Sequence, residues 1–149
     1  MRSVIQRVTA GSVSIAGKTV GSIGRGLVVL VGIGQEDSFA DSKYMAEKIA
    51  HLRIFPDETG KLNLSVLDLK GEILLVSQFT LYADCRKGRR PCFTEAGEPA
   101  LAKQLYLEVE ANLRGLGLKV ATGVFQADML VDIKNDGPVT IMLDSKKLF

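Results

Sequence analysis

Apolar and polar side chains alternate loosely over residues 3–9 and 12–15, which predicts two half-buried strands near the start of the chain. The turn-forming segment 16–18 leads into a third predicted strand at residues 19–23. Residues 27–33 are almost wholly apolar, as in a central strand that is covered on both faces. The first part of the chain therefore predicts a β-sheet.

Helical spacing of apolar residues follows this β-rich part. The apolar positions of the first predicted helix are Met45, Ile49 and Leu52. Asp37 or Ser38 can cap its N-terminus, and the pattern ends before the turn signal at residues 56–60. A second helix is predicted at about residues 98–114, and the glycines that follow it end the pattern.

The tail of the chain returns to predicted strands at residues 118–121, 129–133 and 139–143. The order is therefore strands, helix, strands, helix, strands. This order predicts an α+β fold with mixed and antiparallel sheets in a barrel-like arrangement, two main helices, and a single domain spanning residues 1–149.

Polar side chains interrupt the most informative apolar segment, residues 73–81, which is predicted to be a buried strand. Ser77, Gln78 and Thr80 follow four aliphatic residues. Burying a hydroxyl or amide without a partner costs about 1–3 kcal/mol. Two interpretations stay open: the polar groups satisfy one another at a sheet edge, or they belong to a functional site.

Composition is typical of a globular protein, with 46% hydrophobic and 24% charged residues. The longest aliphatic run, residues 27–31, is too short to span a bilayer, and residues 1–7 do not lead into the apolar stretch of a signal peptide. We therefore expect a cytoplasmic protein with no membrane partner.

Positive charge is concentrated in one place, although the formal net charge is only +2. Four cations lie within five residues: Arg86, Lys87, Arg89 and Arg90. The segment is either a solvated loop or a contact for RNA or phosphate, and the charge pattern leaves both open.

Thiol and imidazole groups are scarce. Cys85 and Cys92 lack the closer spacing and additional ligands of a zinc site, so we predict no metal and no cofactor. His51 is the sole histidine and lies in a helical pattern. A Ser-His or Cys-His dyad is therefore not expected.

Glycine pairs raise the possibility of a nucleotide site. Gly32 and Gly34 follow a predicted strand and precede a helix, as in a dinucleotide-binding fingerprint. Glu36 and Asp37 stand where such a fingerprint continues, and their charges would repel a pyrophosphate. The glycines are better interpreted as turn residues.

Residues 135–140 contain the turn-forming segment Asn135-Asp136-Gly137-Pro138. One interpretation is a simple hairpin loop between two strands. The other is a cis Gly-Pro peptide, which costs only about 0.5–1 kcal/mol for X-Pro bonds and projects neighbouring carbonyls from a rigid backbone.

Together, Ser77-Gln78-Phe79-Thr80 and the segment 135–140 resemble the signature pair of the D-aminoacyl-tRNA deacylases. Further similar segments occur in the same order at residues 5–8, 82–84, 89–93 and 127–129. One departure is Cys92, because this family more often has serine there.

The resemblance implies hydrolysis of the ester that joins a D-amino acid, or achiral glycine, to the 3′ end of tRNA. It implies a homodimer in which a cis Gly137-Pro138 unit completes the partner's active site and rejects L-amino acids by steric clash. Arg7 is similar to the family residue that orients this loop, and Met129 to one that lines the pocket.

Two mechanisms are compatible with the resemblance. Thr80 is either a nucleophile, although its segment offers no base, or a neighbour of an oxyanion hole formed by the N–H groups of Phe79 and Thr80. We favour the second, with Ser77 and Gln78 shaping the catalytic pocket and a tRNA 2′-hydroxyl helping to activate water. A non-catalytic RNA-binding module is the rival hypothesis.

Overall fold

The computed structural model describes residues 1–148, which contain eight strands and two α-helices. The strands are β1 Arg2–Ile15, β2 Lys18–Ile23, β3 Gly26–Gly32, β4 Phe55–Pro56, β5 Leu62–Leu64, β6 Glu72–Ser77, β7 Lys119–Thr122 and β8 Leu130–Asp144. The helices are α1 Phe39–His51 and α2 Pro99–Gly115. The predicted α+β class and the predicted element order are confirmed.

The long strand β1 organises the main sheet. Its first half pairs with β3 and its second half with β2, while β8 pairs antiparallel along almost its whole length. Strands β3, β6 and β7 are parallel neighbours, so the sheet is mixed. A Cβ on Gly21 of β2 would lie 2.7 Å from the carbonyl oxygen of Thr122 of β7, so the sheet curls almost into a barrel.

Two apolar clusters stabilise this arrangement. The larger cluster lies between the sheet and the helices, and it includes Ile5, Leu27, Met45, Ile49, Leu75, Leu105 and Leu113. The Ser42 hydroxyl of α1 donates to the carbonyl of Leu105 in α2 at 3.1 Å, which joins the two helices. The smaller cluster includes Val8, Val28, Leu74 and Val76, with Met129 and Val131 packed against it.

Strand continuity differs from the prediction at both ends of the chain. Residues 3–9 and 12–15 belong to the one strand β1, and residues 130–143 belong to the one strand β8 rather than to two. The hairpin interpretation of residues 135–138 is therefore wrong. Each of these strands has the other as a continuous partner, so turn-forming residues inside β8 produce a bulge instead of a reversal.

A short hairpin, β4–β5, surrounds the turn signal at residues 56–60 and was not predicted. The Asp57 side chain accepts hydrogen bonds from the backbone N–H groups of Thr59 at 2.8 Å and Lys61 at 3.1 Å. These contacts explain why the turn signal is correct although the strands on either side are too short to show a period.

Candidate active site

The segment after β6 turns sharply instead of continuing as a strand. The predicted strand 73–81 ends at Ser77, and residues Phe79–Tyr82 form a 3₁₀ turn. The last ladder contact is made by Gln78, whose N–H donates to the carbonyl of Val31 at 2.7 Å. Because β3 ends at Gly32, no neighbouring backbone continues the ladder beyond this point.

The start of this 3₁₀ turn leaves two backbone donors free. Among residues 1–148, the N–H groups of Phe79 and Thr80 donate to no backbone or side-chain acceptor. The first N–H groups of a helical turn have no partner within the turn. Two adjacent donors of this kind form a site where a negatively charged oxygen can be hydrogen-bonded.

The polar side chains of the segment have different surroundings. The Gln78 amide donates to the hydroxyl of Thr80, so these two groups satisfy each other as one interpretation of the sequence expected. Ser77 instead faces a cavity. Phe79 is 58% exposed and packs edge-to-face on Phe93, with the ring centroids 5.0 Å apart.

A cavity of about 550 Å³ lies against this segment. Ser77, Gln78 and Phe79 line one wall, and the other walls are formed by Ala96, Gly97, Ala102, Phe125, Asp128 and Met129. Its volume falls in the range of small-molecule sites, which is about 300–1,000 Å³. The structure therefore brings Met129 together with the segment 77–79, although about fifty residues separate them in the chain.

A glycine allows Met129 to reach this position. A Cβ on Gly123 would collide with the Met129 sulfur, so the thioether lies directly over the backbone of residue 123. Phe125, Ala96 and Gly97 also line the cavity, and the sequence analysis did not identify them. They lie in loops and follow no period, so only the family-like segment Ala127-Asp128-Met129 pointed to this region.

The Gly137–Pro138 peptide is cis, and both residues are exposed outside the cavity of their own chain. They belong to the bulge in β8: the register passes from Val8↔Asn135 to Gln6↔Thr140, so residues 136–139 face Arg7 alone. The Asn135 side chain accepts a hydrogen bond from the Val139 N–H at 2.9 Å, which closes the bulge.

Arg7 is buried beneath this bulge. Its Nε donates to the carbonyl of Asp136 at 3.1 Å, and its guanidinium donates to the carbonyl of Ile54 at 2.8 Å. The Asp136 carboxylate lies 3.3 Å from the same Nε. A Cβ on Gly137, which has φ +129°, would come within 2.9 Å of the guanidinium, so the arginine contacts the Gly-Pro unit directly.

The basic residues lie in a loop closed by a backbone bridge between Asp84 and Cys92. The Arg86 guanidinium hydrogen-bonds the Asp84 carboxylate at 2.7 Å and lowers the pKa of that carboxyl to about 2. Lys87, Arg89 and Arg90 are exposed, and none of the four cations lines the cavity. Both cysteines, Cys85 and Cys92, are exposed free thiols.

Other candidate residues have structural environments. Asp37 accepts a hydrogen bond from the N–H of Gly34 at 2.7 Å, so a carboxylate occupies the place where the glycine pair would need to face a phosphate. His51 is exposed on α1, and its Nδ1 lies 2.9 Å from the carbonyl of Glu47.

Within residues 1–148, no cluster of His, Cys, Asp and Glu is arranged to hold a metal ion. None of the helices in this part of the chain is long and apolar enough to cross a membrane.

Comparison with known sequences identifies relatives over the full chain. A family model described as D-Tyr-tRNA(Tyr) deacylase matches residues 4–144. A D-aminoacyl-tRNA deacylase from Fervidobacterium nodosum is 57% identical over 149 residues, which is 100% of both chains. Another from Heliobacterium modesticaldum is 62% identical over 146 residues, covering 98% of this chain and 97% of the relative.

Solved structures show the same fold. A protein described as c-Myc DNA unwinding element binding protein superposes with a TM-score of 0.91 and 44% identity, covering 97% of this chain and 98% of that one. A probable eukaryotic D-amino acid tRNA deacylase superposes with a TM-score of 0.85 over 95% of this chain and 97% of its own. Its identity is 18%, so this second likeness concerns the fold alone.

Proposed function

This chain belongs to the D-aminoacyl-tRNA deacylase family and is a hydrolase of that class, and we propose that it cleaves the ester in the cavity beside Ser77. The family implies aminoacyl-tRNA as the substrate. The observation that carries the proposed site is the pair of free N–H groups of Phe79 and Thr80 next to a cavity of suitable size.

These two donors are proposed to form an oxyanion hole. Water attacks the ester carbonyl carbon, the carbonyl oxygen gains negative charge, and the N–H groups of Phe79 and Thr80 stabilise it. Collapse of this intermediate releases the free amino acid and the tRNA 3′ oxygen, which takes up a proton. The 2′-hydroxyl of the tRNA helps to activate the water, so no histidine is required. Ser77 and Gln78 shape the pocket, and Thr80 supports its geometry.

Selection against L-amino acids is proposed to be geometric, because enantiomers have the same charge and hydrophobicity. The cis Gly137-Pro138 unit presents its carbonyls to the substrate α-amino group, which leaves room for a D side chain pointing outward. An L side chain would be forced against the backbone. Glycine has no side chain and escapes this rejection. Arg7, which contacts both Asp136 and Gly137, is proposed to hold the unit in orientation.

The proposed filter requires a second subunit. Gly137 and Pro138 do not line the cavity of their own chain, so they are proposed to enter the cavity of a partner in a homodimer. The same strand carries large exposed apolar side chains, Leu130 at 67% and Met142 at 60% exposure, which a partner would cover. The interface and the active site would then form together.

The exposed cations of the loop 86–90 are proposed to contact the tRNA backbone, because phosphate attraction supplies sequence-independent affinity. Arg86 is held by Asp84, which leaves Lys87, Arg89 and Arg90 as the freer contacts. Because its substrate is proposed to be tRNA, the reaction is proposed to take place in the cytoplasm.

The proposal is tested by incubating the protein with matched D-tyrosyl-tRNA and L-tyrosyl-tRNA and following amino-acid release. We expect rapid hydrolysis of the D-ester and little of the L-ester. Equal rates on both, or no hydrolysis of either, would refute the proposal. Binding of tRNA without hydrolysis would instead favour a non-catalytic RNA-binding module.

A further inference from the structure

The 3₁₀ turn that carries the two free amides has few hydrogen bonds of its own. Leu81 N–H donates to the carbonyl of Gln78 at 3.3 Å, and Ala83 N–H donates to the carbonyl of Thr80 at 3.0 Å. Such turns have poorer hydrogen-bond geometry than α-helices. The position of the Phe79 and Thr80 amides therefore depends on contacts from outside the turn.

Arg2 makes the most specific of these contacts. One guanidinium nitrogen donates to the carbonyl of Leu81 at 3.2 Å, and Nε donates to the carboxylate of Asp144 at 3.3 Å. The guanidinium also lies over the ring of Tyr82, 4.4 Å from the centroid. A planar guanidinium can stack and hydrogen-bond at once, so Arg2 ties the C-terminal end of the turn to strands β1 and β8.

Contacts of Tyr82 also hold the turn in position. Tyr82 is 8% exposed, and its hydroxyl donates to the carboxylate of Asp37 at 3.3 Å. Asp37 is itself held by the N–H of Gly34 at 2.7 Å and by the ammonium of Met1. Burial raises the pKa of Tyr82 well above its usual range, and the charge of Asp37 adds to the shift, so the hydroxyl remains a donor.

The end of β3 is shaped to receive this turn. A Cβ on Gly34 would lie 2.7 Å from the Tyr82 hydroxyl oxygen, and a Cβ on Gly32 would lie 2.8 Å from the carbonyl oxygen of Gln78. Both glycines therefore permit a close approach that any side chain would prevent. The turn is packed against β3 on one side and held by Arg2 on another.

We propose that Arg2 and Tyr82 are positioning residues for the deacylation reaction, which act as a unit to hold the 3₁₀ turn so that the N–H groups of Phe79 and Thr80 meet the developing oxyanion. This inference rests on the proposed oxyanion hole. Neither side chain lines the cavity, so their effect reaches the substrate through the backbone of the turn.

The first test compares Arg2→Met with the wild-type protein in steady-state hydrolysis of D-tyrosyl-tRNA. Methionine keeps an unbranched apolar stem but removes the charge and every donor. Because small displacements of catalytic groups cost up to about 10²-fold, we expect kcat to fall about 10–100-fold. We expect KM to stay within about twofold, since the lost interaction acts mainly in the transition state. Arg2→Lys, which keeps the charge, is expected to recover part of kcat.

Arg25→Met is the matched control. Arg25 also lies over an aromatic ring, that of Phe55 at 5.7 Å, but its carbonyl accepts the N–H of Glu72 at the opposite end of β6 from Ser77. We expect its kcat to equal the wild-type value. A wild-type kcat for Arg2→Met would overturn the proposal. The proposal would also be overturned if Arg25→Met and Arg2→Met lowered Tm equally and also lowered kcat by the same factor.

A double-mutant cycle tests whether Arg2 and Tyr82 act as a unit or through two independent contacts. If Arg2 and Tyr82 act together, Arg2→Met combined with Tyr82→Leu should lower kcat no further than the more damaging single change. If kcat of the double variant fell by the product of the two single-variant factors, a shared role would be contradicted.

Amide hydrogen exchange supplies a measurement that does not depend on activity. The N–H of Ala83 bonds to Thr80 within the turn, so loosening the turn in Arg2→Met should accelerate its exchange by about tenfold or more while exchange in α1 is unchanged. An unchanged rate for Ala83 would refute the positioning role. Failure of the wild-type protein to hydrolyse D-tyrosyl-tRNA would instead refute the proposed function.

Discussion

Thr80 is not among the residues that line the cavity, and its hydroxyl accepts a hydrogen bond from the Gln78 amide. Its orientation is therefore set by a neighbour that cannot act as a base. The one histidine, His51, lies on the surface of α1 against Glu47. At the residue scale, the proposed chemistry of this segment relies on its main chain, because the N–H groups of Phe79 and Thr80 donate to no acceptor among residues 1–148.

Three substitutions test whether catalysis depends on the side chains of Phe79 and Thr80 or on their backbone N–H groups. Thr80→Ala and Phe79→Ala keep both N–H groups and are expected to retain deacylation within about tenfold of wild type. Phe79→Pro removes one N–H, and loss of an oxyanion donor costs about 10²–10³-fold in kcat. Gln78 has φ −145° and ψ 81°, which lies outside the α region that a following proline disfavours.

The measurement is the single-turnover rate on D-tyrosyl-tRNA, with circular dichroism as a check on folding. Abolished activity in Thr80→Ala, with folding and tRNA binding intact, would revive the nucleophile hypothesis. Equal rates for Phe79→Pro and Phe79→Ala would exclude the Phe79 N–H as an oxyanion donor.

At the scale of elements, the start of α1 shows how capping and tertiary contacts combine. The Asp41 carboxylate accepts hydrogen bonds from the N–H of Ser38 at 2.9 Å, from Ser145 at 2.7 Å and from Lys146 at 2.8 Å. Burial opposes its charge, but the hydrogen bonds from Lys146, Ser145 and Ser38 outweigh burial and hold its pKa below the usual range. The helix start is thus tied to the segment after β8.

This depressed pKa predicts a stability that depends on pH. The unfolded carboxyl has a pKa of about 3.9, so the contribution of Asp41 is complete above that value and is lost as pH falls toward the lower folded pKa. Asp41→Asn is expected to lower the free energy of unfolding at pH 7 by about 1–2 kcal/mol, as for loss of a helix cap. The difference should shrink below about pH 4.

Urea denaturation at pH 7 and pH 3 measures this effect, with Glu58→Gln on the exposed turn as the control. The control should change stability at neither pH. An Asp41→Asn difference of the same size at both values would show that the carboxylate charge contributes nothing.

At the scale of the whole molecule, the candidate catalytic segment and the Gly-Pro unit lie apart within one chain. The segment 77–79 lines the cavity, whereas Gly137 and Pro138 are exposed on the bulge of β8. Under the proposed function, a site that uses both would combine two chains of a symmetric dimer. This arrangement would also explain why large apolar side chains such as Leu130 and Met142 remain exposed.

Complementation between inactive subunits tests the shared site. Phe79→Pro impairs the cavity but keeps the Gly-Pro unit, whereas Gly137→Ala displaces that unit because a Cβ there meets Arg7 and Val139. Each variant alone is expected to be nearly inactive. In a symmetric dimer, random pairing on co-expression would give heterodimers with one intact site, about a quarter of wild-type activity. Light scattering checks the dimer, and absence of recovery would show that each chain uses its own loop.

The local elements followed from residue patterns, and the site only in part. The period of Met45 and Ile49 predicts α1, and the apolar run in β3 predicts its burial, because each depends on neighbours in the chain. The end of β6 at Ser77 could not be predicted, because it depends on where its neighbour β3 ends and stops offering a backbone to pair with. The bulge at residues 136–139 likewise depends on pairing with β1, which is distant in sequence.

The sequence by itself determined the α+β class, the two helices, and the residues that carry the family resemblance, since all of these are local patterns or residue identities. The tertiary structure decided which groups are available for chemistry. It freed the amides of Phe79 and Thr80, brought Met129 to the wall beside Ser77, and placed Gly137 outside the cavity. These properties depend on contacts between segments far apart in the chain, and a one-dimensional pattern does not contain the distances between them.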